Sequence, residues 1–185
     1  LLKSNKLEIA ENYSREAISY KKDFFEAFNT LGLILTAKGE LNESIEFFKK
    51  SLKINPDFFD AYFNIANSSK LLRDYTEAEK FCLEAQKKQP LNSDVLNLLG
   101  SIYYETSKFD KSIKFFDEAI QINPNNSNYY NNKALLLREL GNYEEAKKCL
   151  RKSIFLDPRV ASNYNTLGII HKLEGHHIDA YRCFL

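Results

Sequence analysis

The chain has 185 residues, 44% of them hydrophobic and 28% charged, which excludes a disordered polypeptide and places it among globular proteins. Twenty-six lysines and arginines against 25 aspartates and glutamates leave a formal net charge of +1, without the basic surplus of a protein that works by neutralising phosphates. No apolar run reaches the roughly 18–20 residues of a membrane span, no signal peptide is visible, and three scattered cysteines (Cys82, Cys149, Cys183) make no disulfide framework. A reducing, cytoplasmic setting is expected. The chain has no Met, initiator included, so it is expected to be a piece of something longer.

Pro56, Pro90, Pro124 and Pro158 lie 34 residues apart. If Phe25 is counted as place 1 and the prolines as place 32, full repeats run over 25–58, 59–92, 93–126 and 127–160. Segment 1–24 is then the tail of an earlier repeat, and 161–185 is a fifth that stops inside its second helix. In repeat one, Phe28, Leu31, Ile34 and Leu35 recur at helical intervals, as do Ile45, Phe48, Leu52 and Ile54. Repeat two departs from this second stripe with Glu79, Gln86 and Lys88, which marks its second helix as the softest seam or a docking point. Repeat three carries Leu96 where the others carry an aromatic, repeat four carries Lys133 in place of Leu, and the last repeat places His177 at an apolar position. The pattern predicts helices of about 14 residues joined by very short turns, with no strands.

The small residues obey the same frame. Gly32, Gly100 and Gly168 stand at place 8, with Ala66 and Ala134 between them, where two helices must approach closely. Place 20 is also small throughout: Ser44, Ala78, Ser112, Ala146 and Ala180. Gly39, Gly141 and Gly175 fall at place 15, where a left-handed residue ends the first helix. The residues ahead of the prolines (Asn55, Asn123, Asp157) are poor helix formers that close the second.

The aromatics at place 4 (Phe28, Tyr62, Tyr130, Tyr164), the pairs Leu31-Gly32, Leu99-Gly100 and Leu167-Gly168, the small place 20 and the proline together resemble the tetratricopeptide repeat family. That resemblance covers essentially the whole chain. It implies an all-α, right-handed superhelical solenoid of antiparallel helix pairs, a single array over 1–185, that binds protein or peptide partners in its concave groove. Neighbouring repeats cover one another's apolar faces in such a fold, so uncapped ends bearing Leu1, Leu2, Phe184 and Leu185 leave self-association open.

Chemistry is sparse. There is no phosphate loop, no dinucleotide fingerprint and no nucleophile elbow, and all six glycines are accounted for by the repeat. His171 occupies place 11, a packing position, and the adjacent His176 and His177 point in different directions, so no metal site is expected. Acidic pairs such as Glu144 with Glu145 read as a solvated outer face. Neither catalysis nor a cofactor is expected.

The resemblance implies that first-helix places 2, 5, 6, 9, 12 and 13 face the groove. The binding residues it assigns here are Asn29, Thr30, Asn64, Asn67, Asn97, Ser101, Asn131, Asn132, Arg138, Asn165, Thr166 and Lys172. An Asn side chain offers one donor group and one acceptor, so a row of them can hold the backbone of an extended chain. The superhelical repeats of the O-GlcNAc transferase type carry such a ladder at place 6, matched here by Asn64 and Asn132 but not by Thr30, Leu98 or Thr166. The dicarboxylate clamp that holds chaperone C-terminal tails is not matched. From repeat one its places hold Asn29, Leu33, Asn64, Asp94 and Leu98, and no frame supplies its cations. Two other roles stay open: the substrate-selecting arm of a larger transferase, and an RNA-binding helical repeat, against which the sparse cations count.

Overall fold

In the computed structural model the backbone is described for residues 2–184 and the side chains for 6–183, so the terminal Leu1, Leu2, Phe184 and Leu185 side chains lie outside the described residues. The described residues form eleven helices and no strand: α1 (Leu2–Tyr20), α2 (Phe25–Lys38), α3 (Leu41–Ile54), α4 (Phe59–Leu71), α5 (Tyr75–Lys88), α6 (Ser93–Glu105), α7 (Phe109–Ile122), α8 (Ser127–Glu139), α9 (Tyr143–Leu156), α10 (Ala161–Leu173) and α11 (His177–Phe184). From α2 to α10 every helix has 13 or 14 residues, the length the 34-residue frame requires. Each repeat is one helix pair, and the fold class is a helical solenoid. The chain divides into two compact units, Leu1–Pro90 and Leu91–Leu185, with the division directly after α5. Among the described residues no helix is long and apolar enough to cross a membrane.

The turn within each repeat is built identically five times. The residue at place 15 has positive φ, and the next N–H returns to a carbonyl five residues back, as in Glu40 N to Leu35 O (2.9 Å) and His176 N to His171 O (2.8 Å). This is the bond by which a left-handed residue closes a helix C-terminus. Gly39, Gly141 and Gly175 meet the requirement without strain, whereas Arg73 (φ 62°) and Ser107 (φ 56°) take the same conformation with a side chain. The fold imposes this geometry even where the sequence does not favour it.

The turn between repeats depends on the residue before proline. The side-chain Oδ1 of Asn55, Asn123 and Asp157 accepts from the N–H of Asp57 (3.1 Å), Asn125 (3.3 Å) and Arg159 (3.1 Å), bridging the proline that has no N–H of its own. The place-4 tyrosines then latch the turn from the following helix: Tyr62 and Tyr130 donate their hydroxyls to the Pro56 and Pro124 carbonyls at 3.0 and 3.1 Å. In repeat three Leu96 stands at this place and has no hydroxyl to donate.

Packing inside a repeat turns on one approach. A methyl added at Gly100 would lie 2.6 Å from the Phe116 ring, and one at Gly32 would overlap the Phe48 ring. Both rings sit at place 24 and are fully buried. Where place 8 is alanine, place 24 is smaller: Ala66 with Cys82 and Ala134 with Leu150, all at zero exposure. The volume that glycine yields is taken up by the ring across the pair. Hydroxyls tie the same helices together, Ser112 Oγ donating to Gly100 O at 2.8 Å, Ser51 Oγ to Phe25 O at 2.9 Å and Ser153 Oγ to Ser127 O at 2.8 Å. Between repeats, Ile45 and Phe48 of α3 meet Ala61 and Ile65 of α4, and in the second unit Leu150 of α9 clusters with Ile170 of α10. In these clusters a helix pair's apolar surface is covered by the next pair, which is why repeats stack within each unit.

Two measurements check this account. Gly100→Ala should lower stability by about 1–3 kcal/mol through overpacking. Adding Phe116→Leu, which recreates the Ala134/Leu150 combination, should recover much of that loss, and purely additive effects in chemical denaturation would contradict the packing. Burial pushes the Cys82 thiol up to about 12. At pH 8 its thiolate fraction is on the order of one in ten thousand, so native alkylation, read by mass spectrometry, should mark Cys183 well before Cys82.

Candidate partner-binding faces

The first helices of the two units carry the amides. In the first unit Asn64 Nδ2 of α4 donates to Asn29 Oδ1 of α2 at 3.0 Å. In the second, Asn132 Nδ2 of α8 donates to Asn97 Oδ1 of α6 at 2.9 Å. Both bonds join place 5 of one repeat to place 6 of the next, a spacing of 35 residues, because stacked first helices set those places side by side. Asn29 is buried while Asn64, Asn97 and Asn132 are half-buried. Each bond uses one N–H and one carbonyl lone pair. The Asn64 and Asn132 carbonyls and the Asn29 and Asn97 amino groups keep hydrogen-bonding capacity, now held in one orientation.

At the next equivalent junction the amide is Asn131 of α8, opposite Thr166 of α10 by frame. Here the hydroxyl turns away, Thr166 Oγ1 donating to Ser162 O at 2.9 Å, and Asn131 Oδ1 is buried without a hydrogen-bond partner. A buried carbonyl left this way costs about 1–3 kcal/mol, so it is an acceptor waiting for a donor.

The remaining assigned residues divide by exposure and by where their donors go. Thr30 Oγ1 donates to Glu26 O (2.9 Å), Asn67 Nδ2 to Phe63 O (3.2 Å) and Ser101 Oγ to Asn97 O (3.0 Å), each within its own helix. Asn165 and Lys172 are exposed, and Arg138 is half-buried. Beside Arg138 the Tyr104 phenol is held above its ordinary range, first by burial and then by the Glu139 carboxylate. The amide row is therefore not one rung per repeat at place 6 but two bonded pairs and one unpaired carbonyl.

Two polar groupings were not legible from the sequence. In the first unit Lys49 Nζ pairs with Glu77 Oε1 at 2.8 Å, and Ser69 Oγ donates to Glu77 Oε2 at 3.0 Å, linking α3, α4 and α5. In the second, the buried Lys147 ammonium binds both Glu174 oxygens at 2.9 Å and Glu144 at 2.6 Å. Lys147 stands at place 21, where Ile45 and Ile113 stand in other repeats, and that exchange was the available signal. Glu174 is also within 4 Å of two imidazoles, His171 (3.9 Å) and His176 (3.6 Å). His176 thus meets His171 rather than its sequence neighbour His177.

Family models agree with this architecture. Those described as tetratricopeptide repeat match residues 59–90, 93–126 and 115–148, and one described as TPR repeat matches 32–69. No curated protein matches the sequence. Among solved structures, a Pseudomonas aeruginosa pilF structure is similar at 23% identity, covering 86% of this chain and 74% of that one with a TM-score of 0.78. TTC0263, a thermophilic TPR protein of Thermus thermophilus, is 17% identical over 86% and 87% of the two chains with a TM-score of 0.76. YrrB, a TPR protein with an unusual peptide-binding site, is 19% identical over 92% and 88% with a TM-score of 0.68. Identities this low establish the shared fold alone.

Proposed function

Because the chain belongs to the tetratricopeptide repeat family, a protein-interaction scaffold, we propose that it is non-catalytic and holds an extended segment of a protein partner on its first-helix faces. The observation that carries this is the pair of amide bonds, Asn64 to Asn29 and Asn132 to Asn97. An asparagine already tied at one end has lost much of its rotamer freedom before a ligand arrives, so binding costs less ordering entropy. Its remaining carbonyl and N–H match one peptide unit of an extended chain, which gives affinity for backbone with little demand on side-chain identity. The peptide-binding site named for YrrB, whose fold this chain shares, supports the same class of partner.

Capture from a random peptide library, comparing the native chain with Asn64→Ala/Asn132→Ala, tests the proposal. Loss of a hydrogen bond of roughly 1 kcal/mol from the face that a peptide occupies, in either unit, should weaken captured peptides by about fivefold or more. Circular dichroism must show that the variant still folds, since the Asn29 and Asn97 carbonyls also lose their donors. Capture unchanged by the substitutions would remove the amide pairs from the binding site.

A further inference from the structure

The last turn of α10 gathers three ligand-type side chains that the scaffold reading does not use. His171, Glu174 and His176 each present one donor atom, and these atoms all lie within 4.8 Å of one another. The backbone explains the gathering. Gly175, with φ of 82°, closes the helix so that His176 N returns to His171 O, and this bond brings the places on either side of the turn together. The same two places hold Tyr103 and Lys108 in repeat three, where the Lys108 ammonium sits 5.4 Å from the Tyr103 ring centroid. In the last repeat both are histidine, with a carboxylate between them.

The donor atoms are placed for a shared guest rather than for one another. His171 Nδ1 is buried and has no hydrogen-bond partner. Its 3.9 Å to Glu174 Oε2, and the 3.6 Å from His176 Nδ1 to the same oxygen, are too long for hydrogen bonds. Two ligands about 2.0–2.1 Å from a tetrahedral zinc lie about 3.4 Å apart, so modest side-chain movement closes the set. The charge also fits. Lys147 is balanced by Glu144 and Glu174, so with neutral imidazoles the cluster carries one net negative charge. Lys147 grips both Glu174 oxygens and fixes the carboxylate, the part an outer-shell partner plays at metal centres.

We propose that His171, Glu174 and His176 bind a divalent zinc ion through the two imidazole Nδ1 atoms and one Glu174 oxygen, leaving a fourth position for water or a partner's side chain. Two imidazoles and a carboxylate suit zinc, and three protein ligands with an open position give a site that a partner can complete. The Lys147 ammonium competes for the carboxylate, which makes the site weaker than a closed structural one.

Isothermal titration of the tag-free 185-residue chain with Zn2+, together with visible spectra on Co2+ addition, tests the site. One ion per chain should bind, and cobalt should give the intense absorption of a four-coordinate N/O site without a thiolate charge-transfer band. His176→Ala should weaken binding at least tenfold. His171→Leu, which restores the leucine that Leu35 and Leu137 supply in other repeats, should abolish it with the fold intact by circular dichroism. His177→Ala should leave binding unchanged. Absence of saturable binding, equal loss in His177→Ala and His176→Ala, or a thiolate band pointing to cysteine would each overturn the proposal.

Discussion

The closeness of the two helices in each repeat is the constraint on which the rest depends. At place 8 the backbone of the first helix presses against a place-24 side chain of the second, leaving room for a ring only when no methyl intervenes. That contact fixes the angle of the pair, and the identical left-handed closures hold the turn that makes it possible. With the pair fixed, its outer apolar residues have no cover except the next pair, so stacking follows from incomplete burial rather than from any single strong bond. Stacking then sets place 5 of one first helix beside place 6 of the next. The amide pairs are a consequence of that registry.

Much of this was legible because glycine and proline report backbone requirements directly. Gly39, Gly141 and Gly175 announced the left-handed turn and the four prolines the helix ends, which was enough to fix helix lengths within a residue. Arg73 and Ser107 showed how far the pattern reaches: nothing in their chemistry signals positive φ, yet the frame places them at the same turn and the structure holds them there. The exchange of Gly/Phe for Ala/Cys and Ala/Leu was hidden because each half is ordinary alone. It becomes visible only when places 8 and 24 are known to touch.

Polar side chains were harder to read. The frame assigns a face to Asn64, Asn132, Thr166 and Ser101 alike, but it does not say where their hydrogen bonds go. Ser101 and Thr166 spend theirs on their own helices, while Asn64 and Asn132 reach the neighbouring repeat. Hydroxyls go either way: Thr36 Oγ1 lies 3.3 Å from Ser68 Oγ on the neighbouring first helix, so the residue type alone does not decide where the bond goes. His171 and His176 look unrelated in sequence because they are five residues apart across a turn, and Lys147 passes as one more lysine on a charged helix. Only the closed turn and the burial of the Lys147 ammonium bring the three elements of that cluster together.

The paired amides are the central claim, since they join the packing to the proposed function: the same registry that stabilises the stack leaves one oriented donor and one oriented acceptor at each pair. The most direct measurement is an NMR titration of the side-chain amide resonances with a captured peptide. In the unit that holds the peptide, the two paired NH2 signals (Asn29 with Asn64, or Asn97 with Asn132) should shift together and saturate with the same dissociation constant as the backbone signals of that unit's first helices. Saturable binding that leaves these four signals unmoved would contradict the account and move the partner to another surface.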